Sequence, residues 1–212
     1  MSAHSLIIFA KQPRAGDVKT RLGATVGMKE AAEIYRTFAE HAFALGRQLL
    51  EAGTSVSIFH DPRADKDEMR NWVGPHVRLI PQEGATLGER MRRAFDLTFA
   101  GGSQRAVIIG TDVPELDRAT IDRAFAALAH HDVVIGPSHD GGYYLLGMNA
   151  PTKPLFDGIA WGEETVSHDT VTQLHRLHLT FVQLPMLADI DTISDYRAYL
   201  GRMAGAKDSP AG

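Results

Sequence analysis

Asp112 lies just past an apolar run, Val107, Ile108 and Ile109, separated from it by Gly110 and Thr111 and followed by Pro114. A run of this kind reads as a strand covered on both faces, and the proline stops the ladder two residues after the acid. In an open α/β sheet, ligands bind beyond the carboxyl ends of the strands. An acid there is either a turn former or a ligand for a divalent cation, and we read Asp112 as holding such a cation against a nucleotide's phosphates. A second set of reactive types follows the first apolar run: Lys11, Arg14, Lys19 and Arg21 surround Pro13 and Gly16. Phosphate chains are held by backbone N–H groups and one or two fixed cations, which Lys19 and Arg21 supply. Val18 stands where a Walker loop has glycine, so this is not that motif, and a solvated basic loop is the alternative.

Two further acids, Asp189 and Asp191, alternate along an extended segment and share one side of it. Either one can ligate the metal while the other orients it. Asp191 is preferred because it adjoins a helix start, where a phosphate would lie. Thr192 and Asp195 have capping-box spacing, so Asp195 is assigned to capping. The segment GPSHDGG at 136–142 reads as a hairpin connection. It reads equally as a substrate loop in which Asp140, Gly141 and Gly142 approach an acceptor. Tyr143 and Tyr144 read first as sheet residues. Tyr143 also joins Trp161 and Thr165, which lie where the regular pattern breaks, as a candidate acceptor contact. Most of the ten histidines read as solvent-facing or packed, and His4, His41, His130, His131, His175 and His178 show no metal-ligand spacing.

These groups need a scaffold. Apolar runs predict strands over 6–10, 56–59, 77–80, 106–110, 133–135, 143–146 and 181–184. Three- and four-residue periodicity predicts helices over 28–52, 66–73, from 87, after Asp117 as cap, over 164–177 and up to Met203. Such alternation gives an α/β class chain with a mostly parallel sheet, and the Asp-Gly-Gly connection adds one reversed pairing. One domain over 1–204 with a disordered tail over 205–212 is expected.

With 212 residues, 44% hydrophobic and 23% charged, the chain has the composition of an ordinary soluble domain. Its net charge of −4 argues against a nucleic-acid polymer or an anionic membrane as partner. The absence of cysteine excludes disulfides, thiol catalysis and zinc–thiolate sites. No apolar run approaches about 18 residues and no signal pattern is visible, so a cytoplasmic location is expected.

Four segments in order then carry a resemblance: FAKQPRAGDVKTRL at 9–22, GTDVPEL at 110–116, GPSHDGGYYLLG at 136–147 and DIDT at 189–192. Together they resemble the bacterial glycosyltransferase-like family with the GT-A nucleotide-diphospho-sugar transferase fold. That family is related to the guanylyltransferases of molybdenum- and deazaflavin-cofactor synthesis, and some members are labelled arsenosugar-biosynthesis glycosyltransferases. The resemblance implies a Rossmann-like α/β/α sandwich with Mg2+ (or Mn2+) at Asp112 and at Asp191 or Asp189. It implies nucleotide contacts from the basic loop (Ala10, Lys11, Pro13, Gly16, Lys19, Thr20, Arg21) and from Thr111. QEGATLGER at 82–90 matches a Gly-Asp-Leu-Gly-Glu-Arg type of segment through Gly84, Gly88 and Arg90, with Thr86 where an acid is usual.

The expected function is nucleotidylyl transfer from a nucleoside triphosphate to a phosphate-like small-molecule acceptor. Lys19, Arg21 and Asp112 are the catalytic set. The alternatives are glycosyl transfer from a nucleotide-sugar and a non-catalytic nucleotide-binding protein. A homodimer is a possible assembly.

Overall fold

The computed structural model describes residues 3–207. Its elements in chain order are β1 (His4–Ala10), α1 (Thr20–Val26), α2 (Met28–Glu51), β2 (Ser55–His60), α3 (Lys66–Val73), β3 (Arg78–Pro81) and α4 (Leu87–Ala100). They continue with β4 (Arg105–Ile109), α5 (Arg118–Ala127), β5 (Val133–Pro137), β6 (Tyr143–Met148), a short 3-10 turn at Lys153–Phe156, α6 (Val166–Arg176), β7 (Phe181–Gln183) and α7 (Ile193–Lys207). One sheet holds all seven strands in the order β3-β2-β1-β4-β6-β5-β7. Only β6 runs against its neighbours, β4 and β5; the remaining pairs are parallel.

The central strands are apolar throughout because each side chain has a core to enter. Leu6, Ile8, Val107, Ile109 and Val134 point to the layer containing α2, α3 and α5. Their neighbours Ile7, Ala106, Ile108, Val133 and Ile135 point to the layer of α4 and α6. Period-two alternation thus divides one sheet between two helical layers, as the α/β/α reading requires. The expected caps form: Asp117 accepts from the Thr120 amide at 2.7 Å, and Asp195 accepts from the Thr192 amide at 2.7 Å. Thr86 also caps α4, accepting from the Glu89 amide at 3.2 Å, while Glu89 reaches back to the Ala85 amide at 2.7 Å. Thr86 is therefore the N-cap of α4, with Glu89 reaching back one residue further than a capping box does.

Two expectations need correction. The basic loop, expected to reach Arg21, stops at Lys19, because an unexpected helix, α1, covers Thr20–Val26 before Gly27, with a φ of 95°, turns the chain into α2. No side chain caps α1, so the usual start signal is missing. At the other end, α7 passes the expected stop at Met203 and reaches Lys207, so the helix includes Gly205 through Lys207; the rest of the expected tail, 208–212, lies outside the described residues. No helix among the described residues is long and apolar enough to cross a membrane.

The strand order places the site. From β1 the chain goes outward to β2 and β3, then returns to the other side of β1 as β4. The loops leaving β1 and β4 therefore diverge, which opens a crevice at the carboxyl ends of two adjacent strands. The late acidic segment is drawn to the same edge. Its Ile190 amide donates to the Asp112 carbonyl at 3.1 Å, and its side chain is fully buried with Leu22, Ile34 and Phe38. Truncating that anchor, Ile190→Ala, is expected to cost about 2–4 kcal/mol in urea unfolding, the usual loss for a buried isoleucine. A loss under about 1 kcal/mol would mean that the segment is held by something else.

Candidate active site

The geometry at the crevice centres on Lys19. Its backbone is left-handed, φ 48° and ψ 44°, a conformation that costs a non-glycine residue roughly 1–2 kcal/mol. Buried Val18 fixes the chain just before it, and the left-handed turn carries the lysine stem inward until only 3% of the side chain is exposed. The ammonium then lies 2.6 Å from Asp112 Oδ1 and 2.7 Å from Asp191 Oδ1. Burial alone would lower the lysine's pKa, but the two carboxylates outweigh it and the net shift is upward. Lys19 is thus a fixed cation. Arg21, largely exposed, stands 4.0 Å from Asp191 Oδ2.

Tyr35, buried on α2, joins the two diverging loops. Its hydroxyl accepts from the Lys11 amide at 2.8 Å and from Thr111 Oγ1 at 3.0 Å. Burial, with Asp112 adding to it, pushes the phenol far above its ordinary range, so it remains neutral. Asp189 and Asp191 share one side of the chain as alternation predicts, yet they meet different partners. Asp191 takes Lys19, whereas burial and then Asp140 push the Asp189 carboxyl up to about 6. Asp140 is turned into its own loop, accepting from Ser138 Oγ at 2.5 Å and from the Gly142 amide at 2.9 Å.

Two adjoining clefts open on this centre, of about 520 and 750 Å3, and they share Leu87, Gly110, Asp112, Tyr143, Tyr144 and Asp191. Of the sequence-predicted residues, Ala10, Lys11, Lys19, Arg90 and Thr111 line the first cleft. Arg21, Asp140, Gly142, Trp161, Thr165 and Asp189 line the second, and Asp112, Tyr143 and Asp191 belong to both.

Pro13, Gly16, Thr20, Gly84, Gly88 and Gly141 line neither. Three of these glycines have another use. The Gly84 carbonyl accepts from Arg90 Nε at 3.0 Å. A Cβ on Gly88 would sit 2.2 Å from the Trp161 ring, and one on Gly141 would sit 1.9 Å from the Glu164 carbonyl oxygen. Among the lining residues without a role legible in the sequence are Tyr35, which reads as one more residue of a helix face, and Gln82, the first residue of the QEGATLGER segment.

Among the described residues, no three His, Asp or Glu side chains form a closed metal cage. Two carboxylate oxygens do converge on one cationic centre, with their remaining faces open to the clefts. That is an incomplete oxygen donor set of the kind that substrate phosphates complete around Mg2+.

A family model described as an uncharacterized protein conserved in bacteria, DUF2064, matches residues 44–163. The chain belongs to the DUF2064 family. A candidate nucleotide-diphospho-sugar transferase from Desulfovibrio desulfuricans G20 has a crystal structure 36% identical to this DUF2064 chain, with a TM-score of 0.91, covering 99% of this chain and 90% of that one. More distant structures share the fold. CMP:2-keto-3-deoxy-manno-octonic acid synthetase complexed with CTP has a TM-score of 0.60 at 10% identity, covering 97% and 100%. Rv0371c from Mycobacterium tuberculosis H37Rv, in complex with manganese, has a TM-score of 0.57 at 14% identity, covering 95% and 99%. No curated protein matches. The nucleotide-diphospho-sugar transferase fold expected from the four sequence segments is thus the fold of this chain.

Beside the first cleft, Arg63 donates to Asp61 from Nε at 3.0 Å and from a terminal nitrogen at 2.8 Å. These bonds hold the Asp61 carboxyl down at about 2. Because the folded value lies below the ordinary one, the pair's stabilisation is complete above about pH 4 and is lost as the pH falls towards 2. Urea unfolding between pH 5 and 3 should show a steeper acid loss for the wild type than for Asp61→Asn. Parallel curves would mean the pair contributes nothing.

Proposed function

We propose that this DUF2064 chain is a divalent-metal-dependent transferase acting on a nucleotide, with nucleotidylyl transfer as the reaction its geometry supports best. The observation that carries the proposal is the Lys19 ammonium between Asp112 and Asp191, on the wall between two clefts. The first cleft, with Lys11, Lys19 and Arg90 on its lining, suits an anionic nucleotide. Asp112 and Asp191 would hold Mg2+ or Mn2+, since both offer oxygen donors and neither is sealed from a ligand. Such an ion supplies positive charge to the phosphates and to the leaving group.

In this reading an acceptor oxyanion in the second cleft forms a bond to the α-phosphorus. The bond from that phosphorus to the oxygen bridging to the β-phosphate breaks, and pyrophosphate leaves with the electron pair. Lys19 donates to phosphate oxygens where negative charge accumulates, without having to be reoriented during the step. Arg21 lines the second cleft and is its one basic side chain among the described residues, so it is the anchor for an acceptor phosphate. The chain's other contribution is positioning: Tyr35 fixes the two loops that carry Lys19 and Asp112.

Glycosyl transfer from a nucleotide-sugar is the second reading, and one observation favours it. Asp140, Glu163, Glu164 and Asp189 line the second cleft without an ion pair among the described residues, beside the Trp161 and Tyr143 rings. That lining suits the neutral hydroxyls of an acceptor better than a second phosphate.

Thermal melts with Mg2+ and each nucleoside triphosphate, then with nucleotide-sugars, separate the readings. A ligand at about a hundred times its dissociation constant adds roughly 2.7 kcal/mol of stability. Triphosphates are expected to stabilise the protein, and Asp112→Ala to remove the magnesium-dependent part of the shift. Stabilisation by nucleotide-sugars alone would replace nucleotidylyl with glycosyl transfer. No response to either at millimolar concentration would overturn both readings.

A further inference from the structure

Gln82 is a polar side chain that the chemistry above does not use. It follows β3 directly, is 8% exposed and lines the first cleft. Its backbone amide donates to the His60 carbonyl at 2.8 Å, and its side-chain nitrogen donates to the Phe59 carbonyl at 2.9 Å. The carboxamide is therefore oriented by the main chain of β2 rather than by solvent. Its carbonyl oxygen has no protein partner among the described residues, and no buried side-chain oxygen or nitrogen among them lacks one. The oxygen therefore keeps access to solvent, on a residue that lines the cleft.

Close by, Arg90 also lines the cleft. Its Nε is committed to the Gly84 carbonyl, while its terminal nitrogens have no hydrogen-bond partner among the described residues. A fixed acceptor and a cationic donor therefore border one space, with the apolar side chains of Phe9 and Met91 on the same lining.

We propose that Gln82 reads the nucleotide's base, accepting from a ring N–H, while Arg90 donates to the adjacent carbonyl. The proposal rests on the reading of the first cleft as the nucleotide site. The ligand class is a keto base, guanine or uracil, in which a ring N–H stands beside a carbonyl oxygen. Arginine is well matched to such a carbonyl, and engagement of the Gln82 nitrogen by Phe59 leaves its oxygen as the group offered to the base. A methyl group on the ring nitrogen removes the donor and also fills the space that the hydrogen bond needs. A buried acceptor without its partner weakens binding by about tenfold.

The test uses the full-length protein with Mg2+ and isothermal titration of matched pairs: GTP against N1-methyl-GTP, and UTP against N3-methyl-UTP, with ATP and CTP as references. In the wild type one keto nucleotide should bind at least about tenfold more tightly than its methylated partner and than ATP or CTP. The pair that responds identifies guanine or uracil. Gln82→Met should bring that ratio close to one, with its fold checked by circular dichroism. Equal wild-type affinities within both pairs, or tighter binding of ATP or CTP, would overturn the base-reading proposal and leave the nucleotide site standing. A ratio unchanged in a folded Gln82→Met would overturn the role of Gln82. No binding of any nucleotide would overturn the nucleotide site itself, and the base reading with it.

Discussion

The fold converges on one buried ammonium. Lys19 has lost almost all contact with water, and an isolated charge in that position would cost several kcal/mol in desolvation. Asp112 and Asp191 repay it at hydrogen-bonding distance, and each is itself about half open to the clefts. The three residues come from three distant segments, so the ion triad forms only when the loops after β1 and β4 and the segment before α7 are in place. Tyr35 holds the first two loops together, and the Ile190 amide ties the third to Asp112. Positive charge at the centre is accordingly a consequence of folding.

That centre lies between two clefts of different electrostatic character. On one side are Lys11 and Arg90, and on the other are Asp140, Glu163, Glu164 and Asp189 with Arg21. An anionic ligand is favoured in the first and, away from Arg21, disfavoured in the second. The strand order 3-2-1-4 explains why the clefts meet here, since the chain diverges on either side of the β1–β4 pair. The reversed strand β6 starts at the same edge and contributes Tyr143 and Tyr144 to both clefts.

Much of this was legible in the sequence, and the rest was hidden for identifiable reasons. The strands at 106–109 and 133–135 declare themselves because continuous apolar runs are what a two-sided core selects. The caps at Asp117 and Asp195 are local, so their chemistry is visible within four residues. The side shared by Asp189 and Asp191 also follows from alternation. Which of the two meets Lys19 does not, because that depends on the loop after β1 folding back across the sheet. Helix α1 was missed because it starts from a left-handed lysine without a capping side chain. Gly88 matches the family-type segment, and the structure shows what its missing side chain admits, the Trp161 ring. Gln82 opens the QEGATLGER segment without a legible role, because a glutamine gains meaning only once one end of its amide is tied down.

The central claim is that Asp112, Asp191 and Lys19 together receive a metal–nucleotide complex. Crystals grown with Mn2+ and a non-hydrolysable nucleoside triphosphate test it most directly, through the anomalous signal of the metal. The account predicts one manganese peak within coordination distance of carboxylate oxygens from both Asp112 and Asp191, with the triphosphate in the first cleft and Lys19 donating to its oxygens. A peak held instead by Asp140 and Asp189, or a nucleotide bound away from Lys19, would contradict it.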